Sequence, residues 1–234
     1  MDKGIEVIGF DADDTLWINE TYYLETENEF CRLLAQYRDS SREISAELYK
    51  IETGNMRLYG YGIKAFTLSL VETALKISSN KVPQATIEKI INLGKAQLDK
   101  PLVLLDNVKN VLDHLSRDYR LIVVTKGDLL DQERKLRKSN LEKYFHHIEI
   151  MSDKKESDYQ KLLKHLDIEP AQFMMVGNSL RSDIIPVLGI GGYAVYVPFH
   201  TTWEHETADE NSITSSRFRK IKKISQVAEI IDNG

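Results

Sequence analysis

Apolar and β-branched residues gather in five short runs along the chain, at 5–10, 121–125, 147–151, 173–176 and 193–197. From the second run onward, the intervening segments place apolar residues three and four apart, the spacing of one helical face. Strand and helix therefore alternate. Runs of four to six residues without strict polar alternation fit parallel strands covered on both faces. The pattern predicts an α/β fold built on a doubly wound parallel sheet. A further strand is expected at 218–224, followed by a helix with Ser225 as its N-cap. Asp106 is placed to cap a helix running to Leu115.

The stretch 17–99 follows a different rule. Segments 20–37, 44–56, 63–77 and 84–98 carry helical spacing, with no strand-like run among them. Ser, Asn and Pro residues at 78–83, and Gly54, Gly60 and Gly62, are expected to break this block into separate helices. The chain then reads as an α/β domain, 1–16 and 100–234, interrupted by an all-helical cap at 17–99.

Composition narrows the classes of function. A length of 234 residues suits one such domain with its insert and needs no covalent staples. Acidic residues exceed basic ones, 36 to 31, for a net charge of −5, so nothing draws the chain to nucleic acid or an anionic membrane. The basic run 217–223, which contains Phe218, reads as an edge strand guarded by charge. The single cysteine, Cys31, shares an apolar helical face with Leu34 and can form no internal disulfide, so a cytoplasmic location is expected. The first residues lack the basic and apolar regions of a signal peptide. The longest uncharged stretch, 184–199, contains Pro186, Gly189, Gly191, Gly192 and Pro198 and falls short of the roughly 18 apolar residues of a membrane span. It is expected to be a loop followed by a strand.

Open α/β sheets bind ligands outside the carboxyl ends of their strands, so the residues just past each run carry the functional signal. They are Asp11-Ala12-Asp13-Asp14-Thr15, Thr125-Lys126-Gly127-Asp128, Ser152-Asp153-Lys154-Lys155, and Gly177-Asn178-Ser179 with Asp183 beyond. Asp11 is placed to attack an electrophile, and Asp13 to exchange a proton with the leaving group. A carboxylate nucleophile suits phosphoryl transfer, because the acyl phosphate it forms is a mixed anhydride that water opens. The charge on the phosphate calls for a hard cation with oxygen ligands, a lysine and a hydroxyl. Lys154 or Lys155, Thr125 and Asp183 are the candidates.

The segment FDADDTLW resembles the DxDxT signature of the haloacid dehalogenase-like (HAD) hydrolases. The later strand ends resemble that family's second, third and fourth motifs, in order. GYGIKAF, TKGDLLDQ and MVGNSLRSDIIP are further similar to bacterial-type members, so the resemblance covers essentially the whole chain. It implies a Rossmann-like core with a helical cap. By the same resemblance Asp11 is the nucleophile, Asp13 the general acid and base, and Lys154 rather than Lys155 the lysine that neutralises nucleophile and phosphate. Thr125 supplies the phosphate-binding hydroxyl, with Lys126 and Lys154 as the other phosphate ligands. Mg²⁺ is expected on Asp11, the main-chain carbonyl of Asp13, Asn178 and Asp183. One position departs from the family's usual GDSxxxD: Asn178 offers a neutral amide oxygen, which lowers the charge of the metal site.

The expected activity is Mg²⁺-dependent hydrolysis of a small phosphomonoester through an aspartyl phosphate. Arg57, Tyr59, Tyr61 and Lys64, at the glycine-rich turn of the cap, are the expected substrate contacts, with the cap closing over the leaving group. A 2-haloacid dehalogenase also uses an aspartate nucleophile but needs neither second acid nor metal, and Asp13 argues against it. A catalytically weak binding module follows if Asn178 holds the metal too loosely. A calcium loop starting at Asp11 fails, because Leu16 and Tyr22 stand where Gly and Glu are required. The adjacent His146 and His147 point to different faces and read as surface residues. His200, His205 and Glu206 show no metal-ligating spacing, and no P-loop, GxGxxG or GxSxG pattern occurs.

Overall fold

The computed structural model describes residues 4–201 and 203–232; residues 1–3, 202, 233 and 234, all within the predicted α/β segments, lie outside the described residues. Strands β1 (Val7–Phe10), β2 (Arg120–Lys126), β3 (His147–Met151), β4 (Phe173–Gly177), β5 (Tyr193–Tyr196) and β6 (Phe218–Lys220) form one sheet in the order β3-β2-β1-β4-β5-β6. Every pairing is parallel. The chain builds outward from β1 in one direction, then returns to β4 and builds in the other. The reversal lies between β1 and β4, where a crevice opens at the strand ends of a doubly wound sheet.

Side-chain alternation explains why both faces are covered. Ile8, Phe10, Leu121, Val123, Met174, Val176, Tyr193 and Val195 bury on one face, with α5 (Val108–Leu115) and α9 (Gln226–Asp232) contributing Leu112 and Val227. Val7, Ile122, Val124, Phe173, Met175 and Ala194 bury on the other, packed with Tyr159, Leu162 and Leu163 of α7 (Glu156–Leu166). Gly9 must lack a side chain, since a Cβ there would lie 2.8 Å from the Phe173 ring.

The chain divides into two compact units. One comprises Met1–Glu20, Leu102–Lys126 and Gln132–Gly234, and the other Thr21–Pro101 with Gly127–Asp131. The second unit is helical: α1 (Glu20–Leu34), α2 (Ser41–Tyr59), α3 (Ile63–Ile77) and α4 (Gln84–Leu98). Its own core contains Phe30, Leu34, Ile44, Leu48, Phe66, Leu70 and Ile90, together with Cys31. Ser40 starts α2 by accepting from the Glu43 amide at 3.4 Å, and Arg38 closes α3 by donating to the Ile77 carbonyl at 3.1 Å. No helix among the described residues is long and apolar enough to cross a membrane.

Several expected boundaries are corrected. Gly54 lies inside α2 with open space around it and does not end the helix; Gly60, at φ 71°, does, its amide donating to the Met56 carbonyl at 3.1 Å. The helix expected at Asp106 begins at Val108, with Asn107 at its N-cap in the left-handed region and no side-chain cap. The loop expected from residue 184 contains a short helix, α8 (Ile185–Gly189), because Pro186 is tolerated in a first turn. The last strand stops at Lys220 rather than 224; Ile221 and Ile224 instead bury in the core beside Val227. At the sheet edge, Arg219 and Lys220 are exposed.

Candidate active site

Register brings the ends of three strands level. Phe10 stands opposite Val123 of β2 and Val176 of β4, and the Asp11 amide extends the ladder by donating to the Val176 carbonyl at 2.9 Å. Asp11, Thr125 and Asp183 are all buried there. The turn into α7 supplies the lysine. Asp153 accepts from the Lys154 amide at 2.9 Å and Asp158 from the Lys155 amide at 3.3 Å, which turns one lysine inward and the other outward. Lys154, only 2% exposed, donates to Asp11 Oδ1 at 2.6 Å and to Asp183 Oδ1 at 2.7 Å. Lys155 is exposed and pairs with Asp153 at 2.8 Å.

Asp183 is held by a π-helical turn, Leu180–Ile184. Its Oδ2 accepts from the Ser179 amide at 2.9 Å. Gly177 makes the room: a Cβ at that position would run into the Asp183 carboxylate. Thr15 Oγ1 lies 3.0 Å from Asp11 Oδ2 and 3.4 Å from Asn178 Oδ1, so one hydroxyl reaches both groups. Thr125 Oγ1 donates to the Lys126 carbonyl at 3.2 Å.

Two carboxylates share one buried ammonium. Burial pushes the Asp11 carboxyl up to about 7; Lys154 opposes this, and the charge of Asp183 adds to it. Burial works against the Lys154 ammonium, but Asp11 and Asp183 outweigh it and raise its pKa, so the lysine is charged. With both acids ionised the cluster keeps one negative charge in excess. Among the described residues no three His, Cys, Asp or Glu side chains group to hold a metal. The donors at the strand ends are two carboxylates with an amide oxygen near one of them. That all-oxygen, partly neutralised set fits a hard divalent cation that keeps waters of its own.

The Asp13 carboxylate has separate partners. Trp17 Nε1 donates to Oδ1 at 2.7 Å and Gln132 Nε2 to Oδ2 at 2.8 Å, while Lys135 Nζ reaches both oxygens at 2.9 and 3.1 Å. Asp14, at φ 61°, turns away and accepts from the amides of Asn19 at 2.8 Å and Glu20 at 2.9 Å, capping α1. Burial pushes its carboxyl up to about 7, against those two amide bonds.

Lys126, an expected phosphate ligand, is engaged elsewhere. It donates to Ser182 Oγ at 2.8 Å and pairs with Glu206 at 2.5 Å. Ser179 and Ser182 hydroxyls also donate to Glu206 Oε2, each at 2.5 Å. Burial alone would raise the Glu206 carboxyl, but Lys126 and the two hydroxyls outweigh it and hold it at about 2. The lysine thus ties the ends of β2 and β4 to the segment between β5 and β6.

The four expected substrate residues belong to the helical unit. The Tyr59 hydroxyl donates to Glu72 at 2.9 Å and Lys64 to Asp128 at 2.9 Å; Arg57 is exposed and Tyr61 half-buried. Thr15 stands in the first strand-end motif without a role of its own, and Trp17, Gln132, Lys135 and Glu206 are functional-site residues that the sequence does not single out. For Gln132 and Lys135 a signal existed: polar residues three apart beside buried Leu136, on a helix, α6 (Leu129–Ser139), that begins at a strand end. For Glu206 there was none, because its segment has no periodicity.

Known proteins agree with this architecture. A family model described as haloacid dehalogenase-like hydrolase matches residues 5–188. A haloacid dehalogenase-like family hydrolase from Xanthomonas campestris is 33% identical, with a TM-score of 0.87 over 98% of this chain and 91% of that one. A predicted phosphoglycolate phosphatase from Haemophilus somnus shares the fold at 17% identity, with a TM-score of 0.63 over 98% and 99% of the two chains. N-acylneuraminate-9-phosphatase of Mus musculus is 30% identical over 109 residues, 44% of each chain, so the match spans under half the length of that curated relative. On the strength of the family match across most of its length, the chain belongs to the haloacid dehalogenase-like hydrolases.

Proposed function

We propose that the protein is a Mg²⁺-dependent phosphatase that hydrolyses a small phosphomonoester through an aspartyl phosphate on Asp11. The observation that carries this reading is the buried bridge of Lys154 between Asp11 and Asp183, with the Asp13 carboxylate held apart by its own donors. Relatives named as phosphatases support the substrate class.

Asp11 attacks phosphorus in line. Its Oδ–P bond forms as the P–O bond to the leaving group breaks; the electron pair stays on the leaving oxygen, which takes a proton from Asp13. Water then attacks phosphorus, gives its proton to Asp13 and releases phosphate, restoring the Asp11 carboxylate. Lys154 keeps Asp11 oriented and balances charge as the phosphoryl group arrives, and Thr125 offers a hydroxyl at the same strand ends. Asp11, the Asp13 carbonyl, Asn178 and Asp183 would hold Mg²⁺, which supplies neutralisation of the phosphate oxygens. Lys126, committed to Glu206, belongs to the framework of the site rather than to the phosphate. Arg57, Tyr59, Tyr61 and Lys64 remain the proposed determinants of substrate choice.

The test is turnover of p-nitrophenyl phosphate with Mg²⁺, with chelator, and by Asp11→Asn. Metal-dependent turnover that the substitution abolishes is expected. Metal-independent release of halide from a 2-haloacid, with no phosphatase turnover, would replace this reading with the dehalogenase one. Saturable phosphate binding without turnover of any ester would make the chain a binding module.

A further inference from the structure

We propose that Lys135, together with Gln132 and Trp17, is the positioning site of the Asp13 carboxylate, fixing where it stands to deliver a proton to the leaving oxygen. The inference rests on the phosphatase reading and adds to it residues that touch neither phosphate nor nucleophile.

Three residues hold one carboxylate by four contacts between 2.7 and 3.1 Å. Each is anchored in turn. Trp17 is 1% exposed, Gln132 donates also to the Lys126 carbonyl at 2.8 Å, and Lys135 also to Asn19 Oδ1 at 2.8 Å. A two-oxygen contact from Lys135, with a separate donor on each oxygen, fixes the plane of the carboxylate as well as its direction. The proton that Asp13 carries as an acid takes the place of the longest of these contacts, that of Lys135 to Oδ2 at 3.1 Å, while the other three keep the group aimed. Asp11, two residues away, has different partners in Lys154 and Thr15. The two acids are therefore aimed independently, as separate tasks of attack and proton transfer require.

Charge pairing alone does not account for the arrangement. The Lys135 and Asp13 side chains are 20% and 23% exposed, so water still reaches the pair, and a contribution to folding would not call for a separate donor on each oxygen. Orientation is what such a contact controls. A proton donor has to lie within hydrogen-bond reach of the oxygen it serves, and a misplacement of about 1 Å costs on the order of 10²-fold in rate.

The experiment measures kcat/KM for a series of substituted phenyl phosphates, from p-nitrophenyl to unsubstituted phenyl. This parameter reports the first transfer, whatever the rate at which the aspartyl phosphate opens. Wild-type protein is compared with Lys135→Met, Lys135→Arg and Asn19→Ala. A p-nitrophenolate leaves without a proton, whereas phenolate needs one. Lys135→Met is expected to lose about 10-fold to 100-fold on phenyl phosphate and less than about threefold on p-nitrophenyl phosphate, steepening the dependence on leaving-group basicity. Lys135→Arg should restore the wild-type slope in large part. Asn19→Ala, which removes one anchor of the lysine without removing the lysine, should steepen the slope to a smaller degree and tests the idea even where Lys135→Met folds poorly. A uniform loss across the series, or no loss, overturns the inference. Wild-type protein that turns over none of these esters overturns the phosphatase reading itself, a distinguishable result.

Discussion

Charged and polar side chains crowd both the strand ends of the sheet and the turn between α2 and α3, yet the two regions use them in opposite ways. At the strand ends Asp11, Lys154 and Asp183 are buried and hold one another. At the turn Tyr59 and Lys64 are exposed, and each engages a partner within the helical unit, Glu72 and Asp128. A buried charge is tolerated only with defined partners, so its neighbours are constrained in type and geometry. An exposed charge is solvated whatever stands beside it. The first arrangement therefore limits what chemistry the site can perform, and the second tolerates many residue types.

The largest effect that would sharpen this contrast is on Lys154. Lys154→Met leaves two buried carboxylates facing each other without their cation, and breaking such a pair costs about 3–5 kcal/mol. Urea unfolding at neutral pH is expected to show that loss, with phosphatase turnover gone as well. Wild-type stability in this variant would mean that the strand-end charges are no more demanding than those at the turn.

Glu206 comes next. Its carboxyl titrates at about 2 in the folded chain against an ordinary 4.5. A depressed acid pKa stabilises the fold fully above the unfolded value, and that contribution is lost as pH falls from about 4.5 toward 2. Glu206→Gln should cost about 3 kcal/mol at pH 7. The gap between variant and wild type should narrow steadily in unfolding curves taken below pH 4.5. A gap independent of pH would place the loss in packing rather than charge.

These two residues also mark how far the sequence could be read. The placement of Lys154 beside Asp11 and Asp183 was legible because Thr125 lies at the end of a run that folds as a strand, Asp11, Lys154 and Asp183 lie beyond the ends of others, and parallel register aligns strand ends. Glu206 was not, since its partners Ser179, Ser182 and Lys126 lie 24 to 80 positions away in the chain and no period connects them. Gln132 and Lys135 share a helix face that starts at a strand end, a local signal, but they lie 119 and 122 positions from Asp13, and no period names that carboxylate as their partner. Differences within the fold share a cause: propensity alone makes Gly54 a helix end, but Ile44 and Leu48 pack into the helical core and carry α2 through it. The apolar residues beyond Lys220 looked like more strand because burial in a core and burial in a sheet leave the same short apolar run.

Gly177 tests the steric side of the strand-end arrangement. Gly177→Ala puts a methyl group where the Asp183 carboxylate stands. Overpacking of this kind costs about 1–3 kcal/mol. Displacement of Asp183 should also weaken the proposed binding of Mg²⁺, read as a higher half-saturating concentration in turnover. An alanine variant with unchanged stability and metal response would show that the π-helical turn yields easily.

The smallest effect belongs to the turn, and it is the one that most directly exposes the contrast to failure. Lys64 is 60% exposed and pairs with Asp128 at 2.9 Å. Both residues lie in the helical unit, on segments far apart in the chain. An exposed pair of this kind contributes about 0.2–1 kcal/mol, and salt screens it. Lys64→Ala should therefore shift the unfolding midpoint only slightly, and the shift should vanish in high salt. A proposed role in substrate choice would instead appear in KM, and would differ from one phosphate ester to another while kcat for p-nitrophenyl phosphate stays the same. A salt-independent loss of stability as large as that at Glu206 would show the turn to be organised by charge as tightly as the strand ends, and the distinction between the two regions would fail.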